Sequence, residues 1–347
     1  MYNKTTTSKC TDRNSNILSI ATGNIQNYCQ NRSFFENTLY QLDRIQVLKN
    51  DTLRIKVTNK CSFTCKFCHR EGSPKSRNLA LNTDLIRGFT RLHTELKLTQ
   101  AHLTGGEPTS YPHCRELISE LKSIGYRVKM TSNGQFDSDL IRQLKDSGLD
   151  GMNFSIHTLD ARKLCCLQGR QKNIEWGLRA LSQQLDNVHM ALESGLEVKI
   201  NTVAQNDSEI YDILKIKDYC KNAGVSFRIL NDLAQAASSI QHIAVVLKAM
   251  NASIEGTNLI DKSSGCSLNM IDKDGFKFKV KYIRKNTLET LCGGCKEKDV
   301  CTEWFYGIRV EQADDRALVR LCIQRQDYPA IQTFEEFFTS RQLVELL

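Results

Sequence analysis

The sequence predicts an α/β protein, a partial (β/α)6 barrel of TIM-like type with a small C-terminal α/β domain organised around metal. Strand-like and helix-like stretches alternate over residues 52–232, which predicts parallel βα units. Gly125, Gly148, Gly195 and Gly224 each stand between a helix-like stretch and the next strand, where a helix C-cap needs a positive φ. A complete eight-fold barrel would need more chain than this, so we expect an open barrel.

Six strand-like and five helix-like stretches make up the predicted barrel. Leu53–Thr58 alternates apolar and polar residues, as a half-buried strand does. The further strands are predicted at 101–104, 127–131, 151–156, 197–203 and 226–230, and the helices at about 82–97, 114–124, 138–147, 171–194 and 207–222.

Composition and periodicity divide the chain into four segments. Residues 1–50, rich in Asn, Thr, Ser and Gln, are expected to be an N-terminal extension. The barrel is predicted over 51–232, and connecting helices are predicted over 233–265. Residues 266–347 are predicted as an auxiliary domain that ends in a helix and contains five cysteines.

Composition also excludes several classes of protein. With 347 residues, 40% of them hydrophobic, the chain can bury a large core, unlike collagen-like or disordered proteins. Uncharged apolar runs are short and the polar start has no export signal, so we expect a cytoplasmic protein without membrane association. The net charge of +8 is dispersed, which suits an anionic small molecule or acidic peptide, and nucleic acid is not expected as a partner.

Fourteen cysteines in a cytoplasmic chain favour metal or redox use over disulfides. The run Cys61-Ser-Phe-Thr-Cys65-Lys-Phe-Cys68 places three thiols on one loop after the first strand. Three thiolates can hold three irons of a four-iron cluster and leave the fourth iron open to a substrate or cofactor. The alternative is a structural zinc site, which normally needs a fourth Cys or His nearby.

Four motifs together give the chain its resemblance to a known family. The first motif is C-x3-C-x2-C, with Phe67 before its third cysteine. It is followed along the chain by Leu103-Thr-Gly-Gly-Glu-Pro108, then Thr131-Ser-Asn-Gly134, then Asn153–Asp160. The pattern resembles that of the radical S-adenosylmethionine (SAM) enzymes, with their "GGEP", "TTNG" and "SLD" motifs at the ends of successive strands. Each motif alone is weak, and the ordered set is strong.

The resemblance implies a [4Fe–4S] cluster whose open iron is chelated by SAM, and a 5′-deoxyadenosyl radical that takes hydrogen from a substrate. It implies that the glycine turn lets the backbone approach the methionine part of SAM and that Glu107 balances its ammonium group. The residues that would bind the cofactors by this resemblance are Phe67, Gly105, Gly106, Glu107, Ser132, Asn133 and Ser155, beside the ligands Cys61, Cys65 and Cys68.

Within that family, residues 51–232 are similar to the GTP 3′,8-cyclase branch of molybdenum-cofactor biosynthesis. By this resemblance Arg54, Lys199 and Arg228 lie inside the barrel, near SAM or the substrate. The alternative for each is a charged side chain that reaches from a strand end into water. His157 lies two residues past Ser155 and is a candidate for proton transfer, with a hydrogen-bonded structural role as the alternative.

The second cysteine group comprises Cys292, Cys295, Cys301 and Cys322. The GTP 3′,8-cyclase branch carries three cysteines here, which leave one iron open. Four thiols would saturate a second [4Fe–4S] cluster, which would then relay electrons or brace the fold in a short auxiliary domain of the twitch or SPASM type. A zinc site is the alternative, and Cys266 is a possible replacement for Cys301 or Cys322 as a ligand.

These observations predict a radical SAM enzyme of the lyase or oxidoreductase type, in nucleoside-derived cofactor or natural-product biosynthesis. A phosphorylated nucleoside or similar small anion is the first expected substrate, since Lys199, Arg228 and Arg309 are basic, and a ribosomally made peptide is the second. The resemblance also implies an electron donor such as flavodoxin or ferredoxin. The rivals from other classes are a non-catalytic iron–sulfur sensor and a zinc-stabilised scaffold.

Overall fold

The computed structural model describes residues 44–68, 77–168, 172–205, 210–313 and 315–347. Most of the predicted N-terminal extension, residues 1–50, lies outside these ranges. Its described end forms strand β1, Ile45–Leu48, which pairs in parallel with a strand of the C-terminal half.

Six parallel strands form the barrel wall, as the sequence predicts. Each strand pairs in parallel with the next along the chain, in the order β2-β3-β4-β5-β6-β7. The strands are β2 Thr52–Thr58, β3 Gln100–Gly105, β4 Arg127–Ser132, β5 Gly151–Ser155, β6 Glu197–Ala204 and β7 Ser226–Asn231. The partial-barrel fold class is thereby confirmed.

Helices alternate with these strands. They are α1 Thr83–Leu96, α2 Cys114–Ile124, α3 Asp139–Asp146, α4 Ala161–Leu167, α5 Ile174–Glu193 and α6 Ile210–Ala223. Helix α1 begins at Asn82, whose side chain accepts the N–H of Leu85, and it buries Phe89 and Leu92. Strand β5 is followed by two helices, α4 and α5, and residues of both pack against the first cysteine loop.

Alternation along the strands separates an apolar face from a polar one. In β2, Leu53, Ile55 and Val57 have no exposed surface and belong to the apolar core. Arg54 and Lys56 lie on the opposite face of the same strand, because successive side chains point to opposite sides. The polar face of the barrel strands therefore lines its interior.

The C-terminal third differs from its prediction in two places. Residues 233–265, expected as connecting helices, contain one helix, α7 Ala236–Ala249, and then a strand, β8 Ser253–Ile260. This strand forms because it pairs along its length with β9, Gly265–Ile271. The single helix expected at the end of the auxiliary domain is two short helices, α9 Phe334–Phe338 and α10 Arg341–Leu346, because Ser340 caps a new helix start.

The predicted auxiliary segment extends the barrel sheet at both flanks. Strand β10, Lys277–Ile283, pairs in parallel with β7, and β11, Arg309–Ala313, pairs in parallel with β2. The remaining elements are α8 Glu289–Cys292, β12 Arg316–Arg320 and β13 Ile331–Thr333. All described residues belong to one compact unit, and their strands form one thirteen-stranded sheet.

Candidate active site

The first cysteine group lies on the loop after β2, at the edge where the parallel barrel strands end. Phe63 in the middle of this loop is buried in a small apolar cluster with residues of α4 and α5, and its ring centroid lies 5.7 Å from that of Trp176. One apolar side chain thus anchors the loop, while Cys61 and Cys68 stay exposed and Cys65 is half-buried.

The end of α4 holds the same loop by hydrogen bonds. The N–H of Thr64 donates to Gln168 Oε1 at 2.8 Å, and the N–H of Lys66 donates to the carbonyl of Leu167 at 3.2 Å. Gln168 Nε2 donates a hydrogen bond to Cys65 Sγ at 3.6 Å. Gln168, which the sequence analysis missed, therefore fixes both the loop backbone and one of the three thiols.

Asn133 at the end of β4 contacts the other side of the loop. Its Nδ2 donates to Cys61 Sγ at 3.4 Å and to Ser62 Oγ at 3.3 Å. This residue, predicted as a cofactor contact, thus bonds a predicted cluster ligand directly. Hydrogen bonds to ligating sulfur stabilise negative charge on it.

The three thiols of the loop affect one another electrostatically. Burial is the main cause that raises the pKa of Cys61 and the pKa of Cys65, the latter to about 11, and charge on Cys68 raises both further. Among the described residues, no three Cys, His, Asp or Glu side chains are grouped as ligands of a single metal ion. A four-iron cluster takes one thiolate per iron, so separate thiols within electrostatic reach on one loop fit it.

The glycine turn after β3 clamps the cysteine loop backbone to backbone. The N–H of Gly106 donates to the carbonyl of Thr58 at 2.7 Å, and that of Glu107 donates to the carbonyl of Lys60 at 2.7 Å. A Cβ at Gly105 would lie 2.3 Å from the Thr58 carbonyl oxygen, and one at Gly106 would lie 2.2 Å from that of Lys60. These glycines are required by the close approach of the turn to the cysteine loop, and the approach to SAM that the resemblance implied stays a prediction.

Glu107 is an internal brace in this structure. Its carboxylate is buried and accepts hydrogen bonds from the N–H of Asn133 at 2.7 Å and from Thr109 Oγ1 at 2.8 Å. Burial raises the pKa of Glu107, although these bonds lower it. Both carboxylate oxygens join the glycine turn to β4, and the balancing of the SAM ammonium group, which the resemblance implied, stays a prediction.

The ends of β4 and β5 are joined by Gln184 of α5. Its Nε2 donates to the carbonyl of Asn133 at 2.7 Å and to that of Ser155 at 3.2 Å. Ser132 is buried, and its hydroxyl accepts the N–H of Gly134 at 2.9 Å. The predicted cofactor contacts Ser132, Asn133 and Ser155 therefore share one edge, but the Ser132 hydroxyl is engaged in shaping its own turn.

Phe67 and His157 meet beside the third cysteine. Their ring centroids are 4.7 Å apart in an edge-to-face arrangement, and His157 Nδ1 accepts the N–H of Val203 at 3.1 Å. Burial lowers the pKa of His157 to about 4, so the imidazole is neutral near pH 7. These contacts are those of a hydrogen-bonded structural histidine, and proton transfer by His157 stays a prediction.

The interior face of the barrel is strongly basic. Strand register places Arg54 of β2 beside Arg309 of β11, and Arg228 of β7 beside Lys279 of β10. Paired residues of neighbouring strands project from the same face, so these side chains share the interior. The Nε of Arg228 is buried and has no hydrogen-bond partner among the described residues. A buried guanidinium of this kind is suited to a carboxylate or phosphate oxygen.

Lys199 of β6 adds to this basic interior. Burial, followed by the charges of Arg228 and Lys129, lowers the pKa of Lys199 to about 7. Two acidic residues of these strands are already paired, Glu197 with Lys129 at 2.8 Å and Glu311 with Arg320 at 2.5 Å. The interior therefore has an excess of positive charge that an anion would balance.

Lys281 and Tyr306 belong to the same interior and were missed from the sequence. Lys281 is on β10, and its Nζ lies 4.2 Å from the ring centroid of Tyr306. The alternation in Lys277-Phe-Lys279-Val-Lys281 was the available signal, since it places three lysines on one face of a strand. Nothing in the local sequence around Tyr306 marks it.

The second cysteine group also comes together. Charges on Cys322, Cys301 and Cys295 each raise the pKa of Cys292, after burial as the main cause. All four thiols are half-buried, and Cys301 Sγ accepts the N–H of Trp304 at 3.2 Å. Three thiols that act on Cys292 from three separate stretches of chain fit a cluster ligated by four cysteines.

Cys266 lies elsewhere and does not join this group. It is buried on β9, where it pairs with Tyr282 of β10, and Arg284 is the charged group that affects its pKa. Burial raises the pKa of Cys266 to about 12. Its surroundings are those of a buried apolar side chain, and its role as a replacement ligand has no support in this arrangement.

Comparison with known proteins agrees with this geometry. Residues 55–219 match the model of the Radical SAM superfamily. A probable GTP 3′,8-cyclase from Sulfolobus acidocaldarius is 35% identical over 47% of this chain and 51% of its own length. The GTP 3′,8-cyclase of Aquifex aeolicus is 26% identical over 70% of this chain and 76% of its own length. The chain spans about half the length of several curated relatives that it matches.

A solved structure shows the same fold. Native anSMEcpe with bound AdoMet matches with a TM-score of 0.52 at 14% identity, over 85% of this chain and 82% of that one. No helix within the described ranges is long and apolar enough to cross a membrane. The radical SAM family uses a [4Fe–4S] cluster and SAM. Residues 55–219, which carry the cysteine loop and the strand-end motifs around it, are thus the part of the chain that matches the radical SAM superfamily of enzymes.

Proposed function

We propose that this chain cleaves SAM reductively and removes a hydrogen atom from an anionic small-molecule substrate, a phosphorylated nucleoside being the first choice. The residues that would hold the catalytic cluster are Cys61, Cys65 and Cys68. A cluster held there would supply the electron for reductive cleavage of SAM to methionine and a 5′-deoxyadenosyl radical, the species that would take hydrogen from a substrate carbon. The protein contributes binding, orientation and the exclusion of water.

The contacts around the first cysteine loop support the cofactor part of this proposal. Phe63, Gln168 and the glycine turn fix the loop from three sides. Asn133 and Gln168 each direct an N–H at one thiol sulfur. A loop held this way presents its thiols in a fixed arrangement, which a cluster with one open iron needs in order to orient SAM.

The basic interior of the barrel is the observation that carries the substrate class. Five basic side chains converge there from five strands, namely Arg54, Arg228, Arg309, Lys199 and Lys281. The acidic residues Glu197 and Glu311 are already paired with Lys129 and Arg320. A phosphate group would neutralise several of the basic side chains at once, because guanidinium groups bind phosphate oxygens in pairs. Relatives named GTP 3′,8-cyclase carry a phosphorylated nucleoside in their names, which agrees with this class.

The second cysteine group would hold a four-cysteine [4Fe–4S] cluster. A cluster saturated by Cys292, Cys295, Cys301 and Cys322 has no iron open to substrate, so it would carry electrons or brace the C-terminal strands. In this respect the chain departs from the three-cysteine pattern of the GTP 3′,8-cyclase branch. That resemblance therefore does not determine the product. An electron donor, flavodoxin or ferredoxin, is part of the proposal.

Anaerobic reconstitution tests the cofactor part. We expect about eight irons per chain and formation of 5′-deoxyadenosine after reduction with dithionite in the presence of SAM. Cys65→Ala is expected to lose about four irons and the cleavage, while Cys166→Ala, an exposed cysteine outside both groups, keeps both. Cleavage that survives Cys65→Ala would disprove the ligand assignment.

Arginine variants test the substrate class. A panel of nucleoside triphosphates and short peptides is screened for substrate-dependent 5′-deoxyadenosine formation with the wild-type enzyme and with Arg228→Gln. We expect a phosphorylated nucleoside to stimulate the wild-type enzyme and Arg228→Gln to raise its KM at least tenfold, while Arg142→Gln, on the exposed face of α3, does not. Stimulation by a peptide alone would favour the peptide-modifying alternative.

A further inference from the structure

Tyr306 lies among the basic side chains of the barrel interior. It comes from the segment between α8 and β11, and its carbonyl is held by Ser263 Oγ at 2.6 Å. Its ring centroid lies 4.2 Å from Lys281 Nζ, 5.5 Å from Arg309 Cζ and 5.8 Å from Arg54 Cζ. Three cationic groups thus surround one aromatic side chain.

These cations come from opposite flanks of the barrel. Arg54 and Arg309 belong to β2 and β11 at one flank, whereas Lys281 and Arg228 belong to β10 and β7 at the other. Four barrel strands, β3 to β6, separate β2 from β7 in the order of the sheet. Tyr306 is therefore the side chain that brings both flanks together across the interior.

The phenol oxygen is in position to act as the counter-charge of this cage. Lys281 hydrogen-bonds to it, and the charges of Arg54 and Arg228 act on it as well. The carboxylates of Glu197 and Glu311 are already bound to Lys129 and Arg320.

We propose that Tyr306 is a substrate-pocket residue whose phenol exchanges a proton with solvent when the anionic substrate binds. In the free protein the phenol releases its proton to water, and its oxygen balances Lys281, Arg54 and Arg228. When an anionic group of the substrate takes those cations, the phenolate takes one proton back from water and becomes neutral. No electron moves in this exchange, and the inference rests on the proposed anionic substrate.

The electrostatics give the direction of the coupling. Burial raises the pKa of Tyr306, but Lys281, Arg54 and Arg228 outweigh it and bring the value down to about 7. A bound anion cancels those charges and lets the pKa return towards its ordinary value of about 10. Between these two values binding takes up a proton, so the affinity for an anion falls by up to about tenfold per pH unit above about pH 7.

Ultraviolet difference spectroscopy on the anaerobic holoprotein tests this inference, since phenolate absorbs at longer wavelength than phenol. The probe is sulfate, which is fully ionised near neutral pH and carries no proton of its own. We expect a phenolate signal that titrates near pH 7 in the wild type and in Tyr328→Phe, an exposed tyrosine, and that is absent in Tyr306→Phe. At about pH 8, sulfate removes the signal, and chloride at equal ionic strength does not.

Each other outcome overturns the inference. A titration near pH 7 that persists in Tyr306→Phe would assign the signal to another group, and its absence from the wild type would mean that the phenol stays neutral. Sulfate that leaves the phenolate unchanged would show that anions do not displace it from the cage. Formation of 5′-deoxyadenosine by the same preparation is measured separately, so a failure here is distinguished from a failure of the proposed radical chemistry.

Discussion

Two single hydrogen bonds to sulfur are expected to adjust the reduction potential of the predicted catalytic cluster. Gln168 Nε2 and Asn133 Nδ2 each approach one thiol, Cys65 at 3.6 Å and Cys61 at 3.4 Å. An N–H near a thiolate stabilises the more negative, reduced form of a cluster and so raises its reduction potential. Both side chains lie within hydrogen-bonding distance of a ligand without being ligands themselves.

Gln168→Glu is expected to lower the reduction potential of the first cluster. The carboxylate keeps the acceptor for the Thr64 N–H but replaces the donor to Cys65 with a negative charge. Loss of one hydrogen bond worth about 1 kcal/mol corresponds to a shift of roughly 40 mV or more. An EPR-monitored redox titration measures it, with Gln143→Glu on the exposed face of α3 as the matched control. An unchanged potential at full iron content would refute the role of Gln168.

Site residues could be predicted from the sequence where their spacing along the chain forms a motif. They could not be predicted where their contacts are with residues distant in the sequence. The three cysteines of the first loop and Asn133 occur within recognisable motifs, and the structure brings them together. Gln168 and Tyr306 are single residues far along the chain, and only the fold shows what they contact. Glu107 lies in a motif as well, yet its burial and its hydrogen bonds with Asn133 and Thr109 could not be predicted from the sequence.

At the scale of elements, the glycine turn and the cysteine loop behave as one unit. Gly106→Ala places a methyl group where only 2.2 Å separates it from the Lys60 carbonyl oxygen, so the turn and the loop must move apart. We expect iron content to fall from about eight to about four per chain and SAM cleavage to be lost. Gly224→Ala is the control, because its Cβ meets nothing within 4 Å and only its positive φ costs stability. Iron analysis that shows full loading of Gly106→Ala would contradict the clamp.

Helix α6 is tied to the turn between β9 and β10 by a buried ion pair. Lys217 Nζ lies 2.9 Å from Asp272 Oδ2, with side-chain exposures of 8% and 0%. Lys217→Met leaves the carboxylate without its partner and is expected to cost about 3 kcal/mol of unfolding free energy near pH 7. Lys221→Met, which removes a half-exposed lysine 3.9 Å from Asp274, is expected to cost less than about 1 kcal/mol in denaturant titrations.

The acid dependence of this pair has a definite sign. Burial raises the pKa of Asp272, but the hydrogen bond from Lys217 and the N–H groups of Phe276 and Asp274 lower it overall. A carboxyl whose folded pKa lies below its unfolded value of about 3.9 stabilises the protein above that value, and this stabilisation is lost as the pH falls through the folded pKa. The difference between the wild type and Lys217→Met should therefore shrink in acid, and a difference that stays constant down to about pH 2 would contradict the assignment.

Element boundaries were predictable where the pattern was local. The barrel strands and most of their helices follow from alternation and from glycine at helix ends, for example Gly125 with its φ of 111°. Strand β8 was missed, because Ser253–Ile260 mixes polar and apolar residues and becomes a strand by pairing with β9. The pairing of β11 with β2, more than two hundred residues earlier, has no local signal at all.

At the scale of the whole molecule, the thirteen-stranded sheet makes the C-terminal third part of the barrel. A chain truncated after Gly265 would lose β10 from the side of β7 and β11 from the side of β2, exposing two long strand edges. We expect this truncated chain to be insoluble or to lose its cooperative thermal transition in circular dichroism. A soluble fragment that melts cooperatively would instead support the separate auxiliary domain that composition suggests.

The anchoring of the first cysteine loop has a consequence for how the cofactor is acquired. In zinc fingers the apoprotein is unfolded, and metal binding carries the entropy cost of ordering the chain. Here Phe63, Gln168 and the backbone of the glycine turn have already ordered the loop by contacts that involve no metal. The apoprotein should thus be a folded receptor for iron and sulfide, and its affinity for them is not reduced by a folding penalty at this loop.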